Sequence, residues 1–327
     1  MRIAPRIRHW LTEPKSDPSV RVRYWLDVEG RSRNDSRVRN ASRLVGRTGW
    51  AASLLKNQLA DGHWYTAGTT GPELYRPKYV ATFWHALVLS DLGMTRTDTR
   101  IRRLAELIFR RFDQRAAGEE QLDYRPRGRY REICVTGLVT RALIRFGYLD
   151  HPAVQRSLSW LVDSQRSDGG WNDSPANRGS LDAWEPLAAL AEVPVDKRDQ
   201  AVLRSIERGA EFYLKRRLMR EGRRRYAPWF RIHYPNHYYY DILVGLRTLT
   251  TLGYASDPRL APALRWLHGK RTSDGRWALD LAHPDLDPRG SGYQLNELVF
   301  PMLLEPPGEP SRWATVDALS VLARAQR

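Results

Sequence analysis

The residues whose types and spacing suit chemistry stand where aromatic runs meet ionisable side chains. Asp182-Ala183-Trp184-Glu185 sets two carboxyls around an indole, and His237-Tyr238-Tyr239-Tyr240-Asp241 ends an aromatic run on a third. Tyr79 and Trp84 lead to His85, Glu132 precedes Ile133-Cys134, and Ser311-Arg312-Trp313 joins a cation to an indole. A carboxyl in an apolar setting is held protonated, because burial penalises its charged form, and it can then act as a general acid. Aromatic faces stabilise cations. These residues suit a small-molecule site in which Asp182, Glu185, Asp241, His85 and Glu132 move protons. In that site Tyr79, Trp84, Trp184, Tyr238, Tyr239, Tyr240, Arg312 and Trp313 hold the substrate. The opposing structural reading gives the carboxyls to helix caps or to arginine pairs.

The elements that must position them follow from a repeat. Gln58-Leu59-Ala60-Asp61-Gly62-His63-Trp64 recurs as Gln165-Arg166-Ser167-Asp168-Gly169-Gly170-Trp171, and again as Arg271-Thr272-Ser273-Asp274-Gly275-Arg276-Trp277. Its aspartates lie 107 and 106 residues apart. Each interval is twice a unit of about 53 residues, so a decayed copy is expected within each, near 114 and near 221. Asp-Gly makes a tight turn, the tryptophan packs on a neighbouring helix, and the glutamine caps exposed backbone at a helix end. The block is therefore structural, and chemistry belongs to the helix starts that follow it.

Two kinds of helix alternate around the blocks. Those before a block are amphipathic, as in Ile101, Leu104, Leu107 and Ile108, or Val154, Leu158, Leu161 and Val162. Those after it are apolar all round, over 80–92, 134–146, 181–190, 239–252 and 313–325, with 20–28 as a first member. Gly147 and Gly253 end two of them, and Pro152 and Pro258 start the next. The expected fold is all-α, a single α/α toroid over residues 1–327 with about six inner and five outer helices. Residues 18–30 hold the first inner helix, 34–277 the repeat units and 311–327 the last inner helix. Residues 278–310 depart from the repeat, as an insertion suited to covering a pocket as a lid.

The blocks resemble the QW repeats of the prenyltransferase and squalene-cyclase family, over roughly residues 20–325. The resemblance implies a terpene-cyclase-like enzyme that binds an isoprenoid or similar apolar substrate in a central cavity and handles carbocations. Class II cyclases protonate an alkene from the middle Asp of Asp-x-Asp-Asp; here the nearest match is Asp182-Ala183-Trp184-Glu185, with Trp184 at the acid's place. Protein prenyltransferases of the same fold hold zinc through Asp-x-Cys and a histidine. Glu132-Ile133-Cys134 with His85 or His237 is the corresponding, weaker zinc set. The acidic run 280–287, the one place suggesting magnesium, sits in a Pro-rich connection and reads as loop. The expected cofactor is thus none, with zinc or magnesium as alternatives. Sugar chemistry, which α/α toroids also host, would need paired carboxylates across the cavity.

Bulk properties bound the partners. One cysteine among 327 residues excludes an internal disulfide framework and a multi-cysteine zinc site. No apolar run suits a membrane span or a secretory leader, so a cytoplasmic setting is expected, with peripheral membrane association as an alternative. A net charge of +16 favours anionic partners, with residues 216–225 as the densest run. A non-catalytic module for nucleic acid or a membrane surface is therefore the competing function, although no nucleic-acid motif is present. The sequence leaves the oligomeric state open.

Overall fold

A computed structural model of the chain describes residues 3–64, 74–75, 78–113, 132–174, 176–221, 225–283 and 303–326, without the side chains of 111–113. Among them the chain is all-helical, with isolated β-bridges and no strand. The α-helices are α1 (Pro5–Thr12), α2 (Pro18–Arg23), α3 (Ser36–Ser42), α4 (Gly49–Leu55), α5 (Thr82–Asp91), α6 (Thr99–Asp113) and α7 (Ile133–Phe146). They continue as α8 (Pro152–Asp163), α9 (Glu185–Ala191), α10 (Gln200–Lys215), α11 (Ile242–Thr251), α12 (Ala261–Gly269) and α13 (Arg312–Ala325). A π-helical segment, Tyr24–Val28, prolongs α2. No helix among the described residues is long and apolar enough to cross a membrane.

The chain forms two compact units, one of Met1–Ala52 with Leu214–Arg327, the other of Ser53–Tyr213. In the second, α5 is buried along its whole length, and α7 at every residue except Arg145. These two helices and α9 pack side by side in chain order, with α7 in the middle. The amphipathic α8 buries Ala153, Val154, Ser157, Leu158 and Leu161 and leaves its other face to solvent. In the first unit α13, buried from Trp313 to Ala323, packs between α11 and the α2–π segment, and α12 lies on α11. The alternation of wholly buried and one-sided helices matches the sequence reading. Two boundaries differ. The helix expected from 181 starts at Glu185, where Pro186, lacking an N–H, fits the first turn. The helix expected from 239 starts at Ile242, because Asp241 caps it.

The three blocks share one geometry. The indole Nε1 of Trp64 donates to the Leu54 carbonyl at 2.9 Å, that of Trp171 to Leu161 at 2.7 Å and that of Trp277 to Leu267 at 2.8 Å. Each partner lies ten residues earlier, on the helix before the block. The glutamine binds forward. Gln58 Nε2 donates to Gly62 O and to Arg100 O on α6, and Gln165 Nε2 to Gly169 O and to Ser205 O on α10, all at 2.8–3.0 Å. Gly169 has φ +90°, and a Cβ there would stand 2.4 Å from the Arg208 carbonyl of α10, so only glycine fits the turn against the helix. Indole and amide together tie the helix before each block to the next amphipathic helix.

The third block does this with α1, a helix outside the repeat reading. A Cβ on Gly275 would stand 2.7 Å from the Cδ1 of Ile7, a side-chain contact where Gly169 meets helix backbone. The guanidiniums of Arg276 and Arg312 lie 4.7 and 4.8 Å from the Trp10 ring. Arg271, standing where the other blocks have glutamine, donates from Nε to Gly275 O at 3.2 Å. Of the decayed copies, residues 114 and 115 and residues 222–224 lie outside the described residues; the described part near 221 makes a turn with left-handed Arg217 and Leu218.

Candidate functional site

Glu185 opens α9 at a place where the backbone comes close to α7. A Cβ on Gly137 would stand 2.7 Å from the Glu185 carbonyl carbon and 2.8 Å from the Pro186 nitrogen, so glycine at 137 is what lets the first turn of α9 rest on α7. The result is a carboxyl with no solvent exposure, neither of whose oxygens makes a hydrogen bond. The Cys134 thiol lies beside it and acts to lower its pKa, a smaller effect than burial. Burial, then the negative charge of Asp173, push the Glu185 carboxyl well above the usual carboxylate range; Asp182 adds to the effect. An unpaired buried carboxylate is costly, so the protonated form is the stable one.

The neighbours carry the same pressure. Asp173 is solvent-exposed as a residue, yet its carboxyl turns inward and accepts from the Cys134 N–H at 3.2 Å; burial raises its pKa also. The Cys134 thiol is pushed well up by burial and by the Asp173 and Glu185 carboxyls, which keeps it from acting as a thiolate. Trp184, at the cap of α9, is buried, and the Arg141 guanidinium already lies 5.8 Å from its ring. Asp182 is half-buried in the turn before α9. Glu132 stands at the cap position of α7, with no side-chain cap bond. Asp173 has no periodic signal in the sequence; its place beside α7 comes from the loop that follows Trp171.

Other candidates from the sequence are drawn into packing. His85 stacks on Trp64, with ring centroids 4.4 Å apart, and its Nδ1 lies 3.1 Å from Ala81 O. Burial pushes its pKa down to about 4, so it is neutral. Among the described residues no three metal-ligating side chains converge, so Glu132, Cys134 and His85 do not come together as a zinc set. The flat seat of His85 on the block tryptophan accounts for this. Tyr79, with a left-handed backbone, and Trp84 pack together at 5.0 Å, and Trp84 Nε1 donates to Tyr75 O.

In the other unit Asp241 is buried and fully engaged. Its Oδ1 accepts from the Val244 N–H at 2.7 Å, and its Oδ2 accepts from the His233 N–H at 3.2 Å and lies 3.0 Å from His233 Nδ1. It is a helix cap paired with a histidine that the sequence reading did not select. Tyr240 is buried and donates its hydroxyl to Leu218 O, while half-buried Tyr239 packs edge-on against His283 at 5.2 Å. Tyr238, also half-buried, takes a left-handed backbone. Arg312 binds Glu13 at 2.7 Å and Trp10 O, which joins α13 to α1. Trp313 is buried between Tyr234 and Trp50, with the Arg23 guanidinium 4.7 Å from its ring.

The 278–310 segment is stitched at its ends, where Leu279 N donates to Glu309 O and Gly308 N to Leu279 O. Asp280 accepts from Ile232 N and Lys270 Nζ. The lid reading and the rest of the acidic run fall on 284–302, outside the described residues. A surface depression of about 370 Å³ lined by Leu158, Val162, Asp163, Lys197, Asp199 and Val202 contains none of the sequence-selected candidates. Of the candidates, then, Glu185 with Cys134 and Asp182 forms one group in one unit, and Asp241 with the tyrosines another in the other unit.

Compared with known proteins, the chain matches no protein-family model. No curated protein is recognisably similar to it.

Proposed function

We propose that this chain is a terpene-cyclase-like enzyme that binds an isoprenoid or similar apolar substrate and starts its reaction with a proton from Glu185. The observation that carries this reading is the state of that carboxyl, which is wholly buried, without a hydrogen bond, and held neutral. A neutral carboxylic acid in an apolar setting needs no desolvation before it gives up its proton. Transfer to an alkene uses the π pair for the new C–H bond, leaves a carbocation on the substrate and leaves Glu185 as carboxylate. Burial and Asp173 destabilise that carboxylate and make Glu185 a weaker acid than an exposed carboxyl, so the transfer depends on the carbocation forming close beside it. The carboxylate and the carbocation then stabilise each other in a low-dielectric setting.

The same proposal extends to the architecture, a single α/α toroid over residues 1–327 of the kind the QW repeats resemble. Support comes from within each unit. The buried helices pack in chain order, α5 with α7 with α9, and α11 with α13, and α13 also meets α2 at the start of the chain. The third block lies against α1 through the Ile7 side chain, where the first two lie against the backbone of α6 and α10.

The test is incubation with prenyl diphosphates and with squalene, followed by product analysis. A cyclised or rearranged product is expected from at least one. Absence of both turnover and binding for all of them removes the reading and leaves a non-catalytic binding module.

A further inference from the structure

Residues 31–47 carry six arginines, at 31, 33, 37, 39, 43 and 47, against one acid, Asp35. That acid is already engaged, for its carboxyl accepts from Arg31 Nη1 at 3.1 Å and from the Arg37 backbone N–H and Nε at 2.9 and 3.2 Å. Arg33, Arg39, Arg43 and Arg47 are exposed, and among the described residues none of the four has a side-chain hydrogen bond or ion pair. Asp35 stands two residues before Arg37 and neutralises it, as Asp98 does for Arg100, Asp257 for Arg259 and Asp274 for Arg276. Arg33, Arg39, Arg43 and Arg47 have no aspartate at that position. Arg39 and Arg43 stand one helical turn apart, where like charges repel.

The face has a defined orientation. Val38 and Ala41 are buried where α3 packs on α2 and the π-helical segment, which turns Arg39, Arg43 and the following Arg47 outward. Leu44 sits among them and is 37% exposed. Trp25 is buried under the guanidiniums of Arg8, Arg31 and Arg37, which lie within 5.6 Å of it, and half-buried Trp50, three residues after Arg47, packs edge-on against Trp313.

We propose that this α3 face docks on an anionic phospholipid surface. Unpaired cations on an exposed face suit the diffuse negative potential of acidic headgroups, and an exposed leucine among them suits the headgroup boundary. A nucleic-acid surface would call for stacking aromatics beside the charge, which this face lacks. The inference stands independently of Glu185, although an apolar substrate dissolved in a membrane gives the docking a use.

The experiment is sedimentation of the full chain with vesicles of neutral phosphatidylcholine, or of phosphatidylcholine with about one-third phosphatidylglycerol. Binding to the anionic vesicles alone is expected, and its loss when salt is raised to about 0.5 M. The triple variant Arg39→Gln/Arg43→Gln/Arg47→Gln is expected to bind roughly 100-fold more weakly, at about five-fold per arginine near the surface. A control, Arg110→Gln/Arg204→Gln/Arg265→Gln, removes the same net charge from exposed positions on α6, α10 and α12 and is expected to bind like the parent. Failure of the parent to bind anionic vesicles at low salt overturns the proposal. So does equal weakening of both triple variants, or a 39/43/47 variant that keeps vesicle binding while losing RNA or DNA binding. Vesicle binding without turnover sinks only the catalytic reading, and turnover without vesicle binding sinks only this one.

Discussion

The indole nitrogen of Trp171 donates to the carbonyl of Leu161 at 2.7 Å, inside a core where Trp171 has no solvent exposure. A buried carbonyl left without its donor costs its desolvation. Trp171→Phe keeps an aromatic ring but removes the donor and part of the indole's volume, so a loss of about 1–3 kcal/mol for the carbonyl, with a cavity cost added, is expected in urea unfolding. An unchanged midpoint would show that the block does not clamp the helix before it.

A second relation holds the far ends of α5, α7 and α9. Arg141, 2% exposed at its side chain, binds Asp91 at 2.9 Å and Glu192 at 3.4 Å, and Arg145 binds the same two acids. Burial opposes the charge on Glu192, but Arg145 and Arg141 hold its carboxyl below the usual range. Asp91→Asn leaves Arg141 buried with its principal partner neutral. A loss of about 3 kcal/mol in chemical denaturation is expected, the figure for breaking a buried pair from one side. A loss below about 1 kcal/mol would mean that Glu192 compensates.

Glu185 makes a prediction about pH with a fixed sign. Its folded pKa is raised, so its contribution to stability is fully present below the unfolded value of 4.5 and is lost as pH rises toward the folded value. Glu185→Gln, which is neutral throughout, is therefore expected to match the parent in thermal stability near pH 4 and to exceed it increasingly as pH rises. A variant that is less stable than the parent at alkaline pH would mean that Glu185 is held there as a carboxylate.

What was legible in the sequence follows from what is local. Gly62, Gly169 and Gly275 mark left-handed turns, and Trp64, Trp171 and Trp277 mark the indole clamp, because both are set by chain geometry within about ten residues. The wholly buried helices were legible as apolar on every face. The start of α9 was misplaced because Leu181 is buried in a turn rather than a helix, and burial alone does not distinguish the two. α1 was missed because its eight residues, PRIRHWLT, carry an arginine-rich pattern and stand outside the repeat. Asp173 and His233 were missed because loops bring them to Cys134 and Asp241. Asp241 was legible as a carboxyl at a helix start, with acid and cap both open because the two uses share that position, and the structure makes it the cap of α11.

Glu185 is proposed to supply the initiating proton. The most direct measurement is product formation by the parent and by Glu185→Gln, on whichever isoprenoid the parent converts, across a pH series. The parent is expected to lose turnover as pH rises through the raised pKa of Glu185, and the folded variant, still binding substrate, to fall by about 100-fold or more, as for removal of a general acid. Turnover by Glu185→Gln at the parent's rate, with the same pH profile, would contradict it.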